Sequence, residues 1–165
     1  MSAYAPGSIF KMASAIAGLE TGAVTRTETI NDTGIYPKGY KPRCWYYTSY
    51  GRGHGPLNVS GAIKNSCNYY FYETGHRLGL DKLSSYANYF GLGRKTGIEL
   101  PYESSGTLAS PKTCEEKNDR SPDVTLLSAS IGQSYNDFTP IQVAKYIAML
   151  ANRGKVVNPT LIKNI

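Results

Sequence analysis

Tyr4-Ala5-Pro6-Gly7-Ser8-Ile9-Phe10-Lys11 decides how the rest of the chain is read. Ser8 and Lys11 stand three residues apart, a spacing that stacks one side chain over the other on a single helical face. Pro6-Gly7 breaks the chain just before, which puts Ser8 at the first helical turn. The apolar residues that follow (Ile9, Phe10, Met12, Ala13, Ile16, Ala17, Leu19) predict a buried helix. A hydroxyl held beside an amine on such a helix is what a serine nucleophile with a lysine base requires. Burial moves a lysine toward the neutral form, which can accept a proton near pH 7. Taken alone, Ser-x-x-Lys is more often a helix N-cap followed by a solvated lysine. The preceding Pro-Gly and the apolar run give the chemical reading its weight.

The chain has 165 residues, enough for one domain with a real core. Its apolar share of 41% and its 17 glycines predict a globular fold with many turns. Fourteen tyrosines must be half-buried or line a surface. A net charge of +6 suits an anionic partner: nucleic acid, a membrane surface or a wall polymer. With no Arg/Lys run and no nucleic-acid motif, nucleic acid is set aside. No apolar stretch approaches the ~20 residues of a membrane span, and no signal peptide is visible. A helix that opens the chemistry seldom opens a natural protein, so the chain reads as a piece of something larger. Three cysteines (Cys44, Cys67, Cys114) are too odd a set for a complete disulfide framework and leave room for a metal or a free thiol.

Along the chain, residues 8–20 predict the first helix, closed by Gly22. Residues 23–56 lack a sustained period and predict a long loop with short extended pieces, a kind of segment that is usually functional. Helical pattern returns at Ser60-Gly61-Ala62-Ile63, breaks around Ser66 and resumes through Tyr69, Phe71, Tyr72 and Leu78. Asp81 is placed to cap a further helix, with Leu83, Tyr86, Ala87 and Phe90 as its apolar stripe and Gly91-Leu92-Gly93 as its end. Residues 94–122 read as turns, with 115–120 as a solvated charged loop. A helix is expected over Asp123–Ser130. Thr139-Pro140-Ile141-Gln142 reads as a capping box with Pro at the first helical position. The helix behind it, about 140–152, is expected to bury Val143, Ala144, Ile147, Ala148 and Leu150, and Gly154 stops it.

Ser66-Cys67-Asn68 falls at the break between two helical patterns. Ser and Asn two residues apart turn both polar groups into one cleft, although both also favour plain turns. Together with Tyr4–Lys11, Phe90-Gly91-Leu92-Gly93, Lys95-Thr96-Gly97-Ile98-Glu99-Leu100-Pro101, Ile131-Gly132-Gln133 and Thr139-Pro140-Ile141-Gln142, this order resembles the transpeptidase domain of a penicillin-binding protein. The resemblance covers nearly the whole chain. It is closest to the class B type that serves elongation and cell shape, because Cys44-Trp45 and His54-Gly55 precede the second motif. The division and sporulation types are its neighbours.

The resemblance implies a mainly α structure: the helical subdomain of the β-lactamase/transpeptidase-like fold, with long irregular loops and most of the central β-sheet missing. Residues 1–165 would form a partial transpeptidase domain. Ser8 would attack the penultimate D-Ala carbonyl of a peptidoglycan stem peptide, and Lys11 would take its proton. Ser66 would relay a proton to the departing amine, Asn68 would hold the substrate backbone and Lys11, and the Ser8 amide would form half of an oxyanion hole. β-Lactams would acylate the same serine. The full protein would act beside a cell-wall glycosyltransferase on the extracytoplasmic face of the bacterial membrane. The third family motif, Lys-Thr/Ser-Gly, belongs after the helix at 140–152, and none follows it. Lys95-Thr96-Gly97 has the letters in the wrong place and reads as a turn, so low activity is expected of this chain alone.

Cys44, His54 and Cys67 offer thiolates and an imidazole, a set that suits zinc. They match a zinc site that some elongation-type members carry, here stapling the loop at about 40–68. Those sites have a carboxylate beside the histidine, where this chain has Gly53. The fourth ligand is open, with Cys114 or water as candidates. Two buried cysteines and a histidine in a turn are the plainer alternative. Trp45 reads as loop packing and His76 as a surface residue. Other readings of the same residues are a D,D-carboxypeptidase or β-lactam sensor, and a non-catalytic, zinc-stapled scaffold.

Overall fold

The computed structural model describes residues 2–162. A 3-10 turn at Gly7–Phe10 runs directly into helix α1, Lys11–Glu20. Strand β1 (Ile30–Asp32) pairs antiparallel with β2 (Gly55–Leu57), with Asp32 opposite Gly55. Helix α2 (Trp45–Tyr50) lies between them. Then come α3 (Val59–Lys64), α4 (Asn68–Tyr89), α5 (Pro111–Glu116), α6 (Pro122–Ala129) and α7 (Pro140–Ala151). The described residues are therefore mainly helical, with one two-stranded sheet.

Helix α1 is the centre of the molecule. One side of it adds Ala15 to a cluster with Val24, Tyr36, Val59, Tyr70, Phe71, Leu127 and Ile131. The other adds Phe10, Ala13 and Ala17 to a cluster with Leu83, Ala87, Phe90, Phe138, Tyr146 and Met149. A helix enclosed on both sides must carry small residues. A Cβ at Gly18 would stand 2.9 Å from the Thr74 methyl of α4, so backbone and side chain already touch there.

The expected starts of α3, α6 and α7 are present to within a residue, while the first helix, expected from residue 8, opens as the 3-10 turn and becomes α-helical only at Lys11. The Thr139 capping box forms in full, with Gln142 N on Thr139 Oγ1 at 3.3 Å and Thr139 N on Gln142 Oε1 at 2.7 Å. Four further expectations need correction. The loop over 23–56 contains α2, whose Tyr46 and Tyr50 rings pack 4.6 Å apart across one helical turn. The charged run at 115–120 is helical at its start, because Ser110 caps α5 by accepting Thr113 N and Pro111 sits at its first turn. The break between the two helical patterns of α4 falls at Gly79, where the backbone turns to φ 75° and ψ 161°. Helix α7 buries Gln142, Tyr146 and Met149, while Ala144 and Ile147 are exposed. Its register is set by Gln142, whose Nε2 donates to Arg94 O and Ser105 O at 2.7 Å each and so draws that face inward.

Candidate active site

The site begins with the junction between the 3-10 turn and α1. Ser8 lies in the turn and is exposed, whereas Lys11 opens α1 and is only 3% exposed. The Ser8 hydroxyl faces solvent and the Lys11 amine sits behind it. The second residue of such a turn has no acceptor within the helix for its amide, so the Ser8 N–H is available to an incoming oxygen. The turn is gripped from below by Gly132. Its carbonyl accepts the Gly7 N–H at 2.9 Å, and a Cβ at 132 would fall 2.1 Å from Gly7 O. With φ at +78°, that position takes a glycine for both conformation and space.

The second motif reaches the same point from the junction of α3 and α4. Ser66 has a positive φ of 48°, a strained conformation that sends its side chain toward Ser8. Ser66 Oγ and Ser8 Oγ are 2.9 Å apart. Lys11 Nζ is 3.2 Å from Ser8 Oγ, 2.9 Å from Ser66 Oγ, 2.8 Å from Ser66 O and 2.6 Å from Asn68 Oδ1. The structure thus brings together Ser8, Lys11, Ser66 and Asn68. Burial pulls the Lys11 amine down to about 8, with the nearby sulfurs of Cys67 and Cys44 acting against it. Such an amine can lose its proton near neutral pH and accept one from Ser8. These atoms open on a cleft of about 300 Å³ lined by Gly7, Ser8, Trp45, Ser66, Asn68, Ile131 and Gln133. Trp45, expected only to pack the loop, is a wall of this cleft and donates its indole N–H to Ser66 O at 3.0 Å.

Lys95, Thr96 and Gly97 line no part of that cleft. The Thr96 N–H and hydroxyl both lie 2.6 Å from Glu103 Oε1 and the Gly97 N–H is 3.0 Å from Oε2, a carboxylate-filled turn in agreement with the sequence reading. A wider cleft, about 930 Å³, lies between the end of α4 and residues 105–117 and includes none of the four residues. His76 is exposed, as expected.

Directly behind the second motif, Asp32, Cys44, His54 and Cys67 place one donor atom each within 4.8 Å of one another. Cys44 Sγ is 3.6 Å from His54 Nδ1 and 4.0 Å from Cys67 Sγ, and Asp32 Oδ2 is 2.7 Å from His54 Nδ1 and 3.3 Å from Cys67 Sγ. Two thiols, an imidazole and a carboxylate at these separations are able to hold a tetrahedral metal. His54 turns its Nδ1 toward Cys44 and Asp32, while its Nε2 is buried without a partner. The Cys67 S–H pulls the Cys44 thiol down to about 6 against the effect of burial, which favours the thiolate on Cys44 over Cys67. That same hydrogen bond, then burial, pushes Cys67 well up. Burial acts to raise Asp32, but hydrogen bonds from His54, Gly34 and Cys67 hold it below the usual carboxylate range.

Asp32 is the carboxylate that the sequence reading missed, and Cys114 on α5 is not in the cluster. No carboxylate fits beside the histidine here, because a Cβ at Gly53 would meet Asp32 O at 2.0 Å. The signal for Asp32 lies in the β1–β2 register, which sets it opposite Gly55 and next to His54. Strands of three residues carry no such signal in sequence.

Comparison with known proteins follows from this geometry. The model of the penicillin-binding-protein transpeptidase domain family matches residues 1–165. The peptidoglycan D,D-transpeptidase MrdA of Acinetobacter baumannii is 35% identical over 97% of this chain and 24% of its own length. The chain therefore spans about a quarter of the length of the curated relatives it matches. Among solved structures, Pseudomonas aeruginosa PBP2 in complex with WCK 5153 matches 98% of the chain and 37% of its own, with 36% identity and a TM-score of 0.88. Helicobacter pylori PBP2 in complex with MreC matches 98% of the chain and 30% of its own, with 32% identity and a TM-score of 0.89.

Proposed function

The chain belongs to the penicillin-binding-protein transpeptidase family, and from that premise we propose that it is the nucleophile-bearing part of a peptidoglycan D,D-transpeptidase of the elongation type. The observation that carries this reading is the position of Lys11 Nζ, within 3.2 Å of Ser8 Oγ, Ser66 Oγ and Asn68 Oδ1 at once. Ser8 Oγ adds to the penultimate D-Ala carbonyl of a stem peptide as Lys11 takes its proton. The oxyanion that forms is held in part by the Ser8 N–H. The terminal D-Ala leaves with a proton passed through Ser66, and an ester remains on Ser8. The amine of a second stem peptide attacks that ester, an amide forms, and the proton returns to Ser8 Oγ. A β-lactam enters as an imitation of the donor and stays as the ester. Asn68 holds Lys11 and the donor backbone.

Residues 1–165 make up a partial domain on this reading. Asp32, Cys44, His54 and Cys67 would hold zinc, which when bound supplies a structural staple and no part of the acyl chemistry. Because Cys67 lies between Ser66 and Asn68, the staple fixes the second motif against β1 and the loop at 40–68. The protein works on the extracytoplasmic face of the membrane beside a cell-wall glycosyltransferase, with stem peptides as substrates and β-lactams as inhibitors. By itself the chain acylates slowly, since it lacks the Lys-Thr/Ser-Gly strand that faces the nucleophile in the family.

The test is a transfer assay on a protein that joins this segment to such a strand. A thioester donor ending in D-Ala-thiolactate is supplied with and without a D-amino acid. The reading predicts an amine-containing product that grows with amine concentration at the expense of hydrolysis. Hydrolysis alone, unaffected by amine, would identify a carboxypeptidase instead.

A further inference from the structure

Beside the Ser8 cleft lies a second one, about 380 Å³, lined by Tyr46, Arg52, Gly53, His54, Gly55, Leu57 and Asn65. The two share a wall. Trp45 lines the first and packs edge-on against Tyr46 and His54 of the second, with ring centroids 5.5 and 5.7 Å apart. Its indole N–H reaches Asn65 O and Ser66 O, and those two residues line the second and first clefts respectively. A cross-linking reaction needs two peptides at one serine, and the structure has two adjoining clefts.

The charge of the second cleft says what it takes. Between Asp32 and Glu73 the sequence has five cations (Lys38, Lys41, Arg43, Arg52, Lys64) and no acidic residue. Lys38 pairs with Glu73, but among the described residues neither Arg52 nor Lys64 has an acidic partner. Arg52 is held in the cleft by its own contacts, with its guanidinium 6.0 Å from the Tyr46 ring centre and 3.4 Å from the Tyr46 hydroxyl. An exposed guanidinium beside an aromatic ring and without an acidic partner is able to take a carboxylate. Asn65 uses its Nδ2 on Gly61 O, which leaves Oδ1 to accept from an amine or a peptide N–H.

We propose that this second cleft binds the acceptor: a stem peptide that brings both the attacking amine and a carboxylate, with the carboxylate on Arg52 and the chain passing Asn65 and Trp45 toward Ser8. The proposal rests on the transpeptidase reading above and names its second substrate site. In the transfer step the acceptor's amine nitrogen bonds to the ester carbon, the bond to Ser8 Oγ breaks, and the amine proton goes to Ser8 Oγ.

The test is binding of the tripeptide L-Ala-γ-D-Glu-L-Lys to the 165-residue chain. Trp45 is the only tryptophan, so its fluorescence and its indole N–H resonance report from the shared wall. The expected result is saturable binding, with amide shifts at Arg52–Gly55 and Asn65 and none at Ile131–Gln133. Arg52→Ala and amidation of the peptide carboxylates should each weaken binding about tenfold, and amidation should cost nothing further in Arg52→Ala. Arg52→Lys should restore part of the loss as a point charge. Melting temperatures of the variants show that the fold is kept. No saturable binding, equal binding by Arg52→Ala, or shifts confined to the Ser8 cleft would overturn the acceptor site. If binding follows Arg52 but no penicillin ever acylates Ser8, the transpeptidase reading fails while the carboxylate cleft stands.

Discussion

At Lys11 two demands meet. The amine must lie close enough to Ser8 to take its proton, and it must be neutral when it does. The first is satisfied at 3.2 Å and the second by burial, which lowers its pKa to about 8. Protonated amine cannot accept, so the active fraction rises with pH. The acylation rate is expected to climb about tenfold per pH unit below the Lys11 pKa and to level off above it; a rate flat from pH 6 to 9 would remove Lys11 as the base. Lys11→Met should slow acylation by about 10²–10⁴-fold, measured in stopped-flow with a chromogenic cephalosporin. Lys11→Arg should not restore it, because a guanidinium stays charged. The four residues at this point were legible in sequence because each pair is local, three residues from Ser8 to Lys11 and two from Ser66 to Asn68, and because the order of the motifs resembles a transpeptidase domain; spacing alone did not join the two pairs. Asp32 was not, since its place is set by strand pairing with residues more than twenty positions away.

At the scale of the element, a helix start backed by an apolar run was readable, and short polar or aromatic helices were not. Thr139-Pro140 and Ser110-Pro111 are the same device, a side-chain cap before Pro. The first was found because an apolar run follows it. The second was missed because Lys112-Thr113-Cys114-Glu115-Glu116 is polar and ends within two turns. Helix α2 carries aromatic residues on all sides, so it shows no stripe, and its rings pack on one another as much as on the core. Two changes test these elements. Thr139→Ala should cost about 0.5–2 kcal/mol by urea unfolding, the usual value of a lost cap. Gly132→Ala should cost more, about 2–3 kcal/mol, because it adds a strained positive φ to a clash with Gly7 O. It should also slow Ser8 acylation, since Gly132 holds the turn that presents the serine. A Gly132→Ala protein with unaltered stability would show that the turn does not depend on this contact.

Across the whole molecule, α1 sits between two core clusters and the cluster of Asp32, Cys44, His54 and Cys67 ties the irregular segment 23–56 to them. The mainly helical character was legible because the helices are long or amphipathic. The order in residues 23–56 was legible in part, through Cys44 and His54 with Cys67, but the place of Asp32 and the packing of Tyr36 against Tyr69 and Tyr72 were not. Protein prepared without chelator is expected to hold one zinc per chain by elemental analysis. Chelation or Cys67→Ser should lower the Tm by about 10 °C, given roughly 2–4 °C per kcal/mol at this size. Cobalt in its place should show the absorption of a thiolate-bound tetrahedral ion. An unchanged Tm with chelator would mean that the hydrogen-bonded thiols hold the loop alone.

The proposal that Ser8 is acylated stands or falls on the intact mass after incubation with a penicillin. The experiment uses this segment joined to a Lys-Thr/Ser-Gly strand, beside its Ser8→Ala variant. The account predicts one added mass equal to the whole drug, since opening of the β-lactam expels no group, and none on Ser8→Ala. A folded protein that stays unmodified, or an adduct that survives Ser8→Ala, would contradict it.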